Sequence, residues 1–255
     1  MLERGRVIGA PVTAGTLDEV ADALMRAARE GRGGYACVAD AHMVTAARRD
    51  PELLALMEGA LAVASDGMPL VWALRRQAHR AERVAGPDLT LELCERAAAE
   101  AMPVYLYGSV PETMNALVTA LRKRFPDLVL AGYEAPPALP RKPPIDPGVG
   151  ARIEASGARL VLVGLGCPKQ DFWMAAHAPR LSAALVGVGA AFEFHAGITP
   201  RAPRWMQRHG LEWLFRLMSE PRRLWKRYLV TVPLFLWYLA LGWPAESKSQ
   251  GSFNR

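Results

Sequence analysis

The chain has 255 residues, 51% hydrophobic and 22% charged, the balance of a folded domain with ample material for a core. Its formal net charge of +6 is concentrated between residues 201 and 227, which points to phosphate groups, nucleic acid or an acidic lipid surface as partner of the C-terminal part. Cys37, Cys94 and Cys167 lack CxxC spacing and a neighbouring His pair, which speaks against a disulfide framework and a zinc site, and the opening MLERGRVIGAPVTAG lacks the apolar run of a secretion signal, so a reducing cytosol is expected.

Residues 16–30 repeat apolar positions at helical spacing behind a threonine suited to cap them, and glycines at 31, 33 and 34 end the run. Residues 35–39 read as a short buried strand. Residues 41–61 are helical in pattern with a fresh start at Asp50-Pro51, and residues 61–64 form a second strand that ends at Ser65-Asp66-Gly67-Met68-Pro69. A polar stretch runs on to Arg83. Beyond it the pattern predicts a helix at 86–101, a strand at 104–107, a turn at Gly108-Ser109 and a helix at 111–125, together one βα unit. A strand at 128–133 leads into a proline-rich surface connection at 136–147. A helix at 148–156, a strand at 159–163, a turn at 164–170, a helix at 171–178 and a strand at 184–188 complete the series. The alternation predicts an α/β core over residues 1–200, a mainly parallel sheet with helices on both faces.

From residue 201 arginines and aromatics interleave. Residues 229–243 are apolar and uncharged, but Pro233 interrupts them and they fall short of the roughly 20 residues that span a bilayer. An interfacial segment in a C-terminal helical appendage over residues 201–245 is expected, with Trp225, Tyr228, Trp237, Tyr238 and Trp243 at headgroup level and Arg222, Arg223, Lys226 and Arg227 near phosphates. For residues 224–228 alone, a helix docked on the core is the favoured reading, and residues 246–255 read as a disordered tail.

Ligands of open α/β sheets bind beyond the carboxyl ends of the strands. Asp66 stands at such an end, where a carboxylate suits proton abstraction from a hydroxyl, although an Asp before Gly is more often an Asx-turn or helix cap, and Asp40 has the same two readings. Gly108-Ser109 and the turn Gly164-Leu165-Gly166-Cys167-Pro168-Lys169-Gln170 lie between strand and helix, so their N–H groups suit a phosphate, but neither completes a dinucleotide or P-loop fingerprint. His42, His195 and His209 lack metal-ligand spacing, and there is no DxD motif; a departing diphosphate would need side-chain cations.

The ordered series HMVTAARRDPEL, SDGMPLVWALR, ERVAGPDL, VYLYGS, VLVGLGCPKQDFW, VGVGAAFEFHAGITPRAPRWMQRHGLEWLFRLMSEPRR and RY, from Val7 to Tyr228, resembles the WecG/TagA/CpsF family of glycosyltransferases. The resemblance implies an enzyme that moves N-acetylmannosamine, its uronic acid or a related sugar from UDP to an undecaprenyl-diphosphate-linked sugar for surface polysaccharide, with inversion and with neither metal nor cofactor. It places the catalytic base on Asp66, next to Gly67. The family's usual Asn falls on Asp40 and its usual Thr on Val38; Asp40 accepts hydrogen bonds but cannot donate like an amide, and as a second carboxylate it would raise the pKa of a nearby Asp66, with altered donor choice or weak activity as consequences. Gln170 is assigned to the sugar or acceptor, and Gly108, Ser109, Gly164, Gly166, Pro168 and Lys169 to the UDP. Arg83 and Gly86 are further site residues, with a structural ion pair as the other reading of the arginine. At least one of Arg216, Arg222 and Arg223 is expected on the diphosphate, the others toward lipid. The family's appendage closes over the site and is linked to membrane association, so the expected place is the cytoplasm, peripheral on the anionic inner face of the membrane; oligomeric state is unspecified.

Three rival readings have cheap discriminators. No helix-turn-helix, RRM, KH or zinc pattern accompanies the basic region, which disfavours nucleic acid. A non-catalytic family member would bind a UDP-sugar without consuming it. An NAD-dependent oxidoreductase lacks its glycine fingerprint.

Overall fold

The computed structural model describes residues 2–241 apart from the side chains of Arg223 and Arg227; Trp243 and the tail expected at 246–255 lie outside the described residues. Where periodicity predicts no element, the chain opens in an antiparallel hairpin of β1 (Arg4–Val7) and β2 (Ala10–Thr13). Its turn residues Ile8 and Gly9 both have positive φ, 44° and 93°, the two-residue geometry whose twist matches that of the strands. In α1 (Leu17–Glu30) the Thr16 hydroxyl accepts the Glu19 N–H, the Glu19 carboxylate accepts the Thr16 N–H, and Gly31 closes the helix at φ 62°. Start and stop lie where the sequence puts them.

Next come β3 (Tyr35–Ala39), α2 (Ala41–Ala47), α3 (Pro51–Gly59), β4 (Ala62–Ser65) and α4 (Met68–Arg76). Helix α4 occupies the stretch expected to be polar loop; its buried Leu70, Val71 and Leu74 form one apolar stripe beneath an arginine-rich outer face. Then follow α5 (Gly86–Ala99), β5 (Val104–Gly108), α6 (Pro111–Arg124), β6 (Leu130–Glu134), α7 (Pro147–Ala155), β7 (Leu160–Gly164), α8 (Lys169–His177) and β8 (Ala184–Gly187), each of the type expected, with ends displaced by a residue or two, and then α9 (Ala191–His195), a short helix for which the sequence pattern predicts no element.

Six strands form one sheet in the order β4-β3-β8-β7-β5-β6, every neighbouring pair parallel. Side chains alternate across it. Ala36, Ala62, Leu106, Leu162 and Val186 face a layer holding Leu24 of α1, Leu93 of α5, Leu117 of α6 and Phe192 of α9. Cys37, Val63, Tyr107, Val163 and Leu185 face the opposite layer, with Met43, Leu53, Leu70, Ile153 and Trp173. Burial on both faces is why the central strands read as unbroken apolar runs such as LVLV at 160–163.

The chain ends in α10 (Arg204–Arg208), α11 (Glu212–Ser219) and α12 (Pro221–Ala240). Helix α12 runs straight through Pro233, where a break was expected. It lies against α2, where Phe235 is buried and His42 Nδ1 is hydrogen-bonded to the buried Thr231 hydroxyl at 2.9 Å, and Leu224, buried on the same stripe at helical spacing, lies nearer the start of the helix. The docking expected of residues 224–228 therefore extends along most of the apolar run. Tyr228 packs its ring 5.8 Å from that of Trp213, and the Tyr238 hydroxyl accepts from Arg49 Nε at 3.3 Å, so both tyrosines engage protein, whereas Trp225 and Trp237 are 48% and 60% exposed. Among the described residues no helix is long and apolar enough to cross a membrane.

Candidate active site

A cavity of about 690 Å³ opens along the carboxyl edge of the sheet. Each of the six strands sends its following segment into the wall: Asp40 after β3, Asp66 after β4, Ser109 after β5, Leu139 after β6, Lys169 and Gln170 after β7, Gly189 and Glu193 after β8. Glu212 and Arg216 of α11 and Leu224 of α12 complete the lining.

Asp66 is no helix cap. The N-cap of α4 is Gly67, at φ 120°, and no side chain caps the helix. The Asp66 carboxylate instead accepts from Arg83 Nη2 at 3.1 Å. Arg83 also donates from Nη1 to the Gln207 side-chain oxygen at 3.1 Å and from Nη2 to the Glu212 carboxylate, so it is an ion-pair partner of two carboxylates that line the cavity, while it is not itself part of the lining. Desolvation in the wall pushes the Asp66 pKa up, the Arg83 charge opposes, and the carboxylates of Glu212 and Asp40 push it up again, leaving it above the ordinary carboxylate value. That is the direction a general base needs. Asp40 does cap: its Oδ1 accepts from the Met43 N–H at 2.9 Å at the start of α2, and it lines the cavity beside Val38. Of its two readings the cap is the one the structure shows.

Gln170 is 1% exposed, and its side-chain oxygen accepts from the N–H of Gly166 and of Gly189, both at 3.1 Å, clasping the turns after β7 and β8. The Ser109 N–H donates to the Gly164 carbonyl at 3.0 Å, with Ser109 itself at φ 61°. The amides of Ser109 and Gly166, expected to face a phosphate, are thus used within the protein, because adjacent strand ends bring these turns within bonding distance of one another. Gly108, at φ 128°, passes so close to Gly164 that a Cβ would stand 2.6 Å from its carbonyl. Gly166 has open space where its side chain would be, which leaves room for a ligand against the backbone. Gly86 and Gly67 do not line the cavity; a Cβ on Gly86 would stand 2.6 Å from the Val188 carbonyl, so this glycine seats α5 behind the wall. Pro168 is the residue from which α8 starts.

Of the late arginines, Arg216 reaches the cavity. Its guanidinium lies 5.7 Å from the centre of the Phe194 ring, and its buried Nε has no hydrogen-bond partner among the described residues, a cationic donor in position for an oxyanion. Arg222 is exposed on α12 and lies outside the wall, and the Arg223 side chain is outside the described residues. Arg201 is held by Asp88 in a two-pronged pair, both contacts at 2.6 Å.

His42 bonds Thr231, His195 Nε2 bonds the Pro87 carbonyl at 2.9 Å and His209 Nδ1 the Trp205 carbonyl at 2.7 Å. Among the described residues no three His, Cys, Asp or Glu side chains are grouped as metal ligands, and the three cysteines are free thiols. Gln207, Glu212 and Glu193 had no signal in the sequence, because what brings them to the site is the return of the C-terminal helices across the sheet edge. A family model described as "Glycosyl transferase WecG/TagA/CpsF family" matches residues 5–249, nearly the whole chain.

Proposed function

Starting from the premise that this chain belongs to the WecG/TagA/CpsF family and is a glycosyltransferase of cell-surface polysaccharide synthesis, we propose that it moves a sugar from a UDP-sugar to a polyprenyl-diphosphate-linked sugar, with inversion and without a metal. The observation that carries this reading is the pairing, in one cavity, of the Asp66 carboxylate with the buried Nε of Arg216. Asp66 takes the proton of the acceptor hydroxyl while that oxygen attacks the anomeric carbon; the bond to UDP breaks on the opposite face, and the charge on the departing diphosphate falls to Arg216 and Lys169. Asp40 and Gln170 stand beside the sugar, and the open face of Gly166 receives the nucleotide side.

Residues 201–245 form the appendage in this reading. Its α12 carries exposed Leu229, Val230, Leu236 and Trp237, followed by exposed Leu241, along with exposed Arg222 and Lys226, which supports peripheral attachment to an anionic inner-membrane face, where a polyprenyl acceptor resides.

UDP release from a panel of UDP-sugars, with and without a short-chain polyprenyl-diphosphate-sugar and in EDTA, is the test. Acceptor-dependent release is expected, and Asp66→Asn should lower it about 10²- to 10⁴-fold while UDP binding persists. A variant with wild-type rates would remove Asp66 from the base role, and UDP binding by the wild type without any release would make the chain a non-catalytic member.

A further inference from the structure

Arg83 serves more than Asp66. Its Nη2 reaches the carboxylates of both Asp66 and Glu212, and its Nη1 is fixed by the side-chain oxygen of Gln207, whose own amide donates to the Ala202 carbonyl at 2.7 Å. Asp66 follows β4 and Arg83 lies in the segment between α4 and α5, whereas Gln207 and Glu212 belong to α10 and α11. The side chains concerned are 15% exposed in Arg83, 18% in Glu212 and 29% in Asp66, so solvent screens their charges only in part.

We propose that Glu212 is a positioning residue that, through Arg83, makes the strength of Asp66 as a base depend on the C-terminal helices being seated across the cavity. This rests on the reading of Asp66 as the base. The charged groups that face Asp66 are Arg83, Glu212 from α11 and Asp40 from the start of α2, with Arg201, tied to Asp88, acting at longer range. With Glu212 in place, two carboxylates divide one guanidinium, and the cation neutralises neither fully. Asp66 then keeps its affinity for a proton. With Glu212 withdrawn or made neutral, a repelling charge is lost and Arg83 turns wholly to Asp66; both changes stabilise the carboxylate and make it a poorer base. Gln207 keeps the guanidinium where both carboxylates reach it. A transferase so built is armed only when its cavity is covered, which guards the donor against attack by water.

The test is the titration of the Asp66 carboxyl carbon by ¹³C NMR in the full-length protein, with the resonance assigned through Asp66→Asn, beside the pH profile of kcat/KM. In Glu212→Gln the midpoint should fall by about one pH unit, and the acidic limb of the rate profile should move with it. Gln207→Glu places a further carboxylate on Arg83 and should move the midpoint upward, which keeps the question answerable if Glu212→Gln does not fold. A midpoint that stays at the wild-type value or moves the opposite way in either variant overturns the proposal. Wild-type turnover by Asp66→Asn would instead strike the base assignment and leave the titration result standing, so the two failures are distinct.

Discussion

At the scale of single residues, Asp171 is the most constrained side chain that the chemistry does not use. It is fully buried beside the thiols of Cys37 and Cys167, and burial, the largest influence, pushes its pKa from 3.8 to about 7. The folded protein therefore holds a proton that the unfolded chain gives up. The stability this lends is complete below about pH 4 and is lost as pH rises toward 7, a change of about 4 kcal/mol at 1.4 kcal/mol per unit. Asp171→Asn should gain thermal midpoint relative to wild type steadily from pH 4 to pH 7.5; a difference independent of pH would refute the account. Nothing near Asp171 in the sequence marks it as buried, because the thiol of Cys37 comes from β3, more than a hundred residues earlier. The same limit applied to Asp40 and Asp66. Each stands at a strand end before a small residue, and only the fold separates them, giving one a helix to cap and the other an arginine.

At the scale of elements, what was legible was local. Helix α1 declares itself because Thr16, Glu19 and Gly31 carry its start and stop within sixteen residues, and the strands of the sheet announce themselves as short apolar runs. The β1-β2 hairpin was missed because four-residue strands have little signal and are held from outside, as where the Thr13 hydroxyl accepts the Val63 N–H at 2.9 Å. Helix α4 gives little signal because it starts without a capping side chain. In α12 the expectation failed in the other direction: an interior proline costs about 3 kcal/mol, yet buried Leu224 and Phe235 fasten the helix on either side of Pro233. Phe235→Ala should release that fastening, raising hydrogen exchange over residues 229–240 and lowering stability by up to about 3 kcal/mol. Exchange as slow as in wild type would show that the C-terminal half does not depend on this contact.

At the scale of the whole molecule, α12 presents two faces, one fixed on α2 and one apolar toward solvent. If the outward face meets lipid as proposed, Leu236→Ser with Trp237→Ser should reduce co-sedimentation with anionic vesicles while far-UV dichroism and UDP binding stay unchanged; undiminished sedimentation would count against attachment through this face. The cavity itself was half legible. Its strand-end residues follow from the architecture, but Gln207, Glu212 and Arg216 arrive from α10 and α11, and no spacing rule connects them to Arg83. The sheet order bears on how the chain comes to be made. Strand β8, last in sequence, lies between β3 and β7, so until residue 184 is synthesised the groups β4-β3 and β7-β5-β6 have no strand to join them, and any early pairing within either group leaves a bare edge of unpaired backbone. Insertion of those four residues joins the halves and covers both edges, so the emerging polypeptide is most prone to aggregate before β8 arrives, and the cavity is completed only afterwards, by α11 and α12.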